Sequence, residues 1–164
     1  MTTSLTHRNA YAATADEVRA MLLDPAFREE VCEAQHALEH SVDIRESSGG
    51  TTVEITRTQS MEGAPAAAVK LTGTTVAIVQ REVWTGDRDA ELTMEIPGKP
   101  GQLRGTITLR DTAEEGCEEL FAGEVKVSIP LVGGKLEKVI GDVLARGLRR
   151  EGEVGAAWLE RRSV

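Results

Sequence analysis

The sequence predicts an α+β fold in which a curved antiparallel sheet of about seven strands wraps around one long C-terminal helix. From Pro130 to Trp158 apolar residues recur every three or four positions, which is the period of a long amphipathic helix. The segments before it alternate apolar and polar residues, which is the period of half-buried strands. Because a long sheet with one apolar face curls, the final helix is expected to cover its concave side.

The chain begins with one strand and two helices. Residues 4–11 are predicted as the strand, and Thr14 with Glu17 forms a capping box that starts the first helix. The pair Asp24-Pro25 ends that helix and begins the second, because proline suits the first helical position. The second helix is expected to run to about His36.

From Leu38 the apolar period changes to two, and the predicted element order becomes β-αα-β(6)-α. Glycine, proline and acidic residues mark turns between strands; these are residues 47–50, 85–89, 97–101 and 111–116. The segment Met61–Gly73 differs, because Gly63 and Pro65 interrupt it and residues 66–71 could form a short helix. This segment is either a lid or a cap on the mouth of the core.

Length and composition predict a single domain over residues 1–164 and exclude some partners. The chain has 27 acidic and 19 basic residues, so its net charge of -8 repels a phosphate backbone. Aromatic residues are 3% of the chain, which leaves few stacking platforms for single-stranded nucleic acid. We therefore expect no nucleic-acid partner.

Location and redox state follow from two further observations. Cys32 and Cys117 are far apart in the sequence and form no CxxC motif, which suits reduced thiols in a cytoplasmic protein. No apolar run approaches the length of a transmembrane helix, and the N-terminus has no apolar signal region. We expect a cytoplasmic protein without stable membrane insertion.

Several segments together resemble a known family. They are Ala15-Asp-Glu-Val18 with Asp24-Pro25, residues 65–73, Glu82-Val-Trp84 and Gly123 through Glu137. With the element order, they resemble the helix-grip fold of the START and Bet v 1 (SRPBCC) superfamily, and more narrowly an uncharacterised START-like family of high-GC bacteria. The superfamily includes lipid-transfer proteins, polyketide aromatase/cyclases and plant hormone receptors. The resemblance therefore implies a fold more strongly than an activity.

The resemblance implies a cavity between the sheet and the last helix that binds an apolar small molecule, such as a lipid, isoprenoid or polyketide. Few aromatic side chains are available to fill the interior, and Gly141, Gly147, Gly152 and Gly155 in the last helix could leave room for a ligand or a neighbouring backbone. The residues on the inward, apolar face of each predicted strand and of the last helix are the candidate lining residues. They are His40, Val42, Ile44, Val53, Ile55, Arg57, Trp84, Leu92, Met94, Ile107, Leu109, Val125, Val127, Leu136, Ile140, Val143 and Leu144.

Two nominated polar residues have alternative interpretations. His40 shares the phase of Val42 and Ile44, but it could also lie beyond the concave face as a solvated strand residue. Arg57 shares the phase of the inward residues before it, so it must meet a carboxylate, a ligand anion or water. An internal salt bridge is the favoured interpretation, with Glu82 as one candidate partner.

The sequence favours binding over catalysis. It has no GxSxG motif, no histidine spacing typical of metal ligands and no phosphate-binding glycine loop, so no cofactor or metal is expected. Two alternatives stay open. One is a cyclase or dehydratase that uses His40, Tyr11 or Arg57, and the other is an interaction module with a filled core. Homodimer formation also stays open.

Overall fold

The computed structural model describes residues 2–162. Its strands are β1 (Thr3–Tyr11), β2 (Glu39–Ser47), β3 (Gly50–Ser60), β4 (Thr75–Trp84), β5 (Asp89–Glu95), β6 (Gly101–Thr112) and β7 (Gly116–Val127). Its helices are α1 (Ala15–Leu22), α2 (Pro25–Ala34), α3 (Ala66–Thr72) and α4 (Gly133–Arg162). The strands form one antiparallel, seven-stranded sheet in the order β1-β7-β6-β5-β4-β3-β2. The predicted α+β architecture with a long terminal helix is confirmed.

The first two helices begin where their capping residues predict. The backbone N–H of Glu17 donates to Thr14 Oγ1 at 3.2 Å, and the backbone N–H of Thr14 donates to Glu17 Oε1 at 3.3 Å. Asp24 caps α2 through its side chain, which accepts from the backbone N–H of Ala26 at 2.9 Å. Helix α2 ends slightly earlier than expected, and His36 follows it with a left-handed φ of 59°.

Helix α4 packs mainly on β1 and β7 and also contacts α2. Its buried face includes Leu136, Leu144, Leu148 and Trp158, whereas Val143 is 48% exposed although it fits the predicted apolar stripe. The helix phase therefore identifies the covered side of α4 but does not fix the edge of the apolar stripe.

Two glycines bring the C-terminal half of α4 close to β1. A Cβ atom at Gly155 would lie 2.7 Å from Cε1 of Tyr11, and one at Gly152 would collide with the side chain of Asn9. These glycines therefore make room for side chains of β1 rather than for a ligand, which corrects one explanation considered for them.

The segment between β3 and β4 does contain a short helix, α3. Ala68 of α3 is buried and forms a small apolar cluster with Val127 and with Leu136 from the start of α4. Leu71 and Met61 pack against the same cluster from the outside. The segment is thus attached to the N-terminal end of α4, where it borders the interior of the protein.

Candidate ligand-binding cavity

A cavity of about 600 Å³ lies between the β3–β4 side of the sheet, α2, the α3 segment and α4. Its volume falls within the range of small-molecule sites, about 300 to 1,000 Å³. Most of its wall is aliphatic, with major contributions from Ile55, Val76, Ile78, Met94, Leu136 and Ile140. None of its lining residues is Phe, Tyr or Trp.

Only some of the lining residues predicted from the sequence are found at this cavity. The nominated residues that line it are Ile55, Arg57, Met94, Leu136, Ile140, Val143 and Leu144. The nominated residues that do not line it are His40, Val42, Ile44, Val53, Trp84, Leu92, Ile107, Leu109, Val125 and Val127. Most of the second group do point inward, as their phase predicts, but other side chains cover them.

The covering elements differ between the two sides of the sheet. Val53, Trp84, Leu92, Ile107, Leu109 and Val125 belong to the main buried core, and Val127 belongs to the small cluster with Ala68. On β2, Val42 and Ile44 pack against the core, and α2 lies against this strand. His40 is half-buried and lies directly opposite Arg57 in the β2–β3 pairing, but it does not line the cavity. The interpretation of His40 as a cavity residue is therefore wrong.

The inner end of the cavity is polar and is built around Arg28 of α2. Its Nη1 and Nη2 atoms donate to the two carboxylate oxygens of Glu82 at 3.0 and 2.6 Å. Its Nη1 also donates to Glu151 Oε1 at 3.3 Å, and its Nε donates to the carbonyl oxygen of Leu22 at 2.6 Å. Protein groups therefore accept four hydrogen bonds from Arg28, and two carboxylates balance its charge.

Glu82 joins this cluster to two further side chains. Its oxygens accept from Gln80 Nε2 at 2.7 Å and from Trp84 Nε1 at 3.0 Å. Strand periodicity explains the arrangement, because Gln80, Glu82 and Trp84 alternate along β4 and share one face. The buried carboxylate thus accepts hydrogen bonds from three different side chains, which satisfies a charge that would otherwise be costly to bury.

Arg57 of β3 is the second buried guanidinium of the cavity wall, and it is 8% exposed. Its Nη1 donates to Gln80 Oε1 at 2.9 Å. Among residues 2–162, no carboxylate oxygen lies within 4.0 Å of its nitrogens. Burial lowers the pKa of Arg57. The favoured interpretation of an internal salt bridge is wrong, because Arg28 occupies the carboxylate of Glu82.

Glu151 of α4 faces Arg28 at the same end of the cavity. Burial raises the pKa of Glu151 to about 7, and the charge of Arg28 opposes that increase. Its second oxygen, Oε2, is buried without a hydrogen-bond partner. This carboxyl group is therefore able to exchange a proton near neutral pH.

A second buried carboxyl group, Glu119, lies outside the cavity. The hydroxyl group of Tyr11 donates to Glu119 Oε1 at 3.1 Å, and burial raises the pKa of both groups. Tyr11 belongs to β1 and His40 to β2, which are opposite edges of the sheet. The structure therefore does not bring together Tyr11 and His40, two of the residues that the cyclase or dehydratase hypothesis names.

Sequence reasoning did not nominate Arg28, Cys32, Gln80 and Glu151 as lining residues, although all of them line the cavity. Helical spacing does place Arg28 and Cys32 on one face of α2, four positions apart. Gln80 lies directly opposite Ile55 across the β3–β4 pairing, so its orientation follows once that register is known. The sequence alone did not supply the register.

Residues 2–162, which the structure describes, show neither a cluster of metal-ligating side chains nor a membrane-spanning helix. No three histidine, cysteine, aspartate or glutamate side chains in this range are grouped so that they could hold a metal ion. No helix in the same range combines the length and apolar character needed to span a membrane.

Solved structures with the same fold cover almost the whole chain. The Zhui aromatase/cyclase from Streptomyces sp. R1128 has a TM-score of 0.70 at 14% identity, over 100% of this chain and 97% of that one. A protein from Thermus thermophilus has a TM-score of 0.65 at 16% identity, over 94% and 98%. A START superfamily protein from Mycobacterium smegmatis has a TM-score of 0.63 at 12% identity, over 95% and 98%.

At these identities the similarity establishes the fold and not the activity. The helix-grip, START-like fold that the sequence motifs indicate is confirmed. No curated protein matches the chain. The sequence model of a family described as "Protein of unknown function (DUF2505)" matches residues 6–159. Because this match spans nearly the whole chain, the protein belongs to the DUF2505 family.

Proposed function

We propose that this protein binds a hydrophobic small molecule, such as a lipid, an isoprenoid or a polyketide, in the cavity between its sheet and α4. The observation that carries the proposal is the cavity itself, about 600 Å³ with a mainly aliphatic wall and a polar inner end. A cavity that has both an apolar wall and a few converging polar groups is typical of ligand sites.

The same observation argues against an interaction module with a filled core. A cavity that holds only a few waters would need far less volume, because each water occupies about 30 Å³ of liquid. Catalysis is supported less well. Of the residues considered for it, Tyr11 and His40 lie outside the cavity and only Arg57 lines it.

Native mass spectrometry of the purified protein, followed by organic extraction, tests the proposal. We expect a bound species that is lost on denaturation, or uptake of an apolar fluorescent probe such as Nile red by the empty protein. A protein that carries no ligand and takes up no probe would contradict the proposal.

A matched pair of variants locates the binding site. Val143 lines the cavity and is 48% exposed, so Val143→Trp is expected to narrow the mouth and weaken probe binding. The effect should be about tenfold, which corresponds to about 1.4 kcal/mol. Asp142→Trp places the same side chain on the exposed neighbouring position, which does not line the cavity, and should leave binding unchanged. Equal effects of the two variants would place the probe elsewhere.

A further inference from the structure

We propose that the ligand is an amphipathic molecule with a single negative charge, and that its carboxylate binds Arg57 while its aliphatic body lies along the cavity wall. This inference rests on the proposed function and adds the chemical class of the ligand. Its basis is the difference between the two buried guanidinium groups in the cavity.

Arg28 is paired with carboxylates of the protein, whereas Arg57 is not. The guanidinium of Arg28 binds Glu82, Glu151 and the carbonyl oxygen of Leu22. An arginine has five N–H donors, and Arg57 uses Nη1 for a neutral acceptor, Gln80 Oε1. Because a buried cation without an anionic partner is costly, the free donors of Arg57 favour an anion inside the cavity.

The position of Arg57 is fixed before a ligand arrives. Gln80 Nε2 donates to Glu82 Oε2 at 2.7 Å, which turns Gln80 Oε1 toward Arg57. Glu82 is itself fixed by Arg28. This chain of hydrogen bonds orients the guanidinium, so little conformational entropy is lost when an anion binds it.

The charges around Arg57 favour a monoanion. Glu151 is close enough for its charge to act on Arg57, yet the two form no ion pair within 4.0 Å. Cys32, Arg28 and Glu82 are the other titratable groups whose charges act on Arg57. At the buried end of the cavity the charges of Arg28 and Arg57 balance those of Glu82 and Glu151, so an added anion is accommodated best when Glu151 takes up one proton. A dianionic phosphate monoester would exceed that capacity.

The wall beyond Arg57 suits an aliphatic body. In the β3–β4 pairing Ile78 lies directly opposite Arg57, and Met94, Leu136 and Ile140 continue the wall. No Phe, Tyr or Trp lines the cavity, so it offers no large ring on which a planar ligand could stack. A carboxylic acid with a flexible hydrocarbon chain therefore matches both ends of the site.

The test compares probes with the same chain and different head groups. Displacement of Nile red from the full-length protein would be measured with palmitate, 1-hexadecanol and hexadecyl phosphate. We expect palmitate to bind at least about tenfold more tightly than either of the others, which corresponds to about 1.4 kcal/mol. Equal binding of palmitate and hexadecanol would overturn the inference, and binding of hexadecyl phosphate as tightly as palmitate would overturn the monoanion assignment.

Variants then assign the preference to a residue. Arg57→Met should abolish the preference for palmitate over hexadecanol and keep binding of hexadecanol. Arg149→Met removes an exposed cation of α4 that does not line the cavity, and it should keep the preference. A preference that survives in Arg57→Met would refute the role of Arg57. If that variant does not fold, Arg57→Gln serves the same purpose, and the comparison of probes in the unchanged protein needs no variant.

Failure of the proposed function gives a different result. In that case Nile red does not enter the unchanged protein, and none of the three probes binds. Failure of the inference alone leaves binding intact and removes only the selectivity between head groups.

Discussion

Arg28 of α2 and Glu82 of β4 form a two-point ion pair in which both side chains are at most 2% exposed. This pair attaches the second helix to the middle of the sheet. We predict that Arg28→Met destabilises the protein by about 3 to 5 kcal/mol, because it leaves Glu82 buried without a cation. Urea unfolding followed by circular dichroism measures the change.

Two controls accompany this prediction. Arg28→Met/Glu82→Gln removes the unpaired charge and keeps an acceptor for Trp84, so it should recover part of the lost stability. Arg45→Met breaks two surface ion pairs, with Asp43 and Glu54, whose side chains are 39% to 57% exposed, and it should cost less than about 1 kcal/mol. Equal losses for Arg28→Met and Arg45→Met would contradict the prediction.

The turn between β2 and β3 depends on Gly50. Its φ of +126° is unfavourable for other residues, and a Cβ atom there would collide with the carbonyl oxygen of Trp84. We predict that Gly50→Ala lowers the free energy of unfolding by more than about 2 kcal/mol. Gly86→Ala is the matched control, because nothing lies within 4 Å of a Cβ atom at Gly86. A similar midpoint of unfolding for both variants would refute the steric argument.

Two glycines in α4 should respond to alanine in opposite directions. At Gly155 a Cβ atom would lie 2.7 Å from Tyr11, so Gly155→Ala should destabilise the protein. Nothing lies within 4 Å of a Cβ atom at Gly141, so Gly141→Ala should stabilise it by about 0.5 to 1 kcal/mol through helix propensity. Thermal unfolding of both variants measures the signs, and a stabilising Gly155→Ala would contradict the close approach of α4 to β1.

The stability of the protein should fall as pH rises toward neutral. The pKa of Glu151 is raised from 4.5 to about 7 in the folded state, and burial also raises the pKa of Glu119. Between these values the folded state binds more protons than the unfolded state, so deprotonation favours unfolding. We expect the free energy of unfolding to decrease by on the order of 2 kcal/mol from about pH 5 to about pH 7.

Urea unfolding at several pH values tests this prediction. Glu151→Gln should flatten the dependence because the group no longer titrates, whereas Glu124→Gln on an exposed position of β7 should not change it. Stability that rises over this interval, or an unchanged slope in Glu151→Gln, would show that the carboxyl group of Glu151 is already ionised at low pH.

Sequence patterns predicted the elements of this fold well but located the cavity only in part. Alternation along β3 shows that Val53 and Ile55 face the same side, and both belong to the core, yet only Ile55 also lines the cavity. The difference depends on where α2 and α4 cover the sheet, and a tertiary packing position has no local sequence signal. The sequence also could not identify the partner of Arg57. Glu82 was a candidate partner, but Arg28, from a helix distant in sequence, binds its carboxylate instead.

The shared role of Glu82 has a consequence for how this protein can change over evolutionary time. The carboxylate that orients Gln80 at the cavity also accepts hydrogen bonds from Arg28 and Trp84 in the core. A mutation at this polar end that changes ligand preference therefore also lowers the stability of the fold. Ile78 and Met94 line the cavity but take no part in this hydrogen-bond network, and substitutions there among aliphatic residues of similar volume cost less than about 1.5 kcal/mol. We therefore expect ligand specificity to change through substitutions in the aliphatic wall, while the polar residues that bind the head group stay the same.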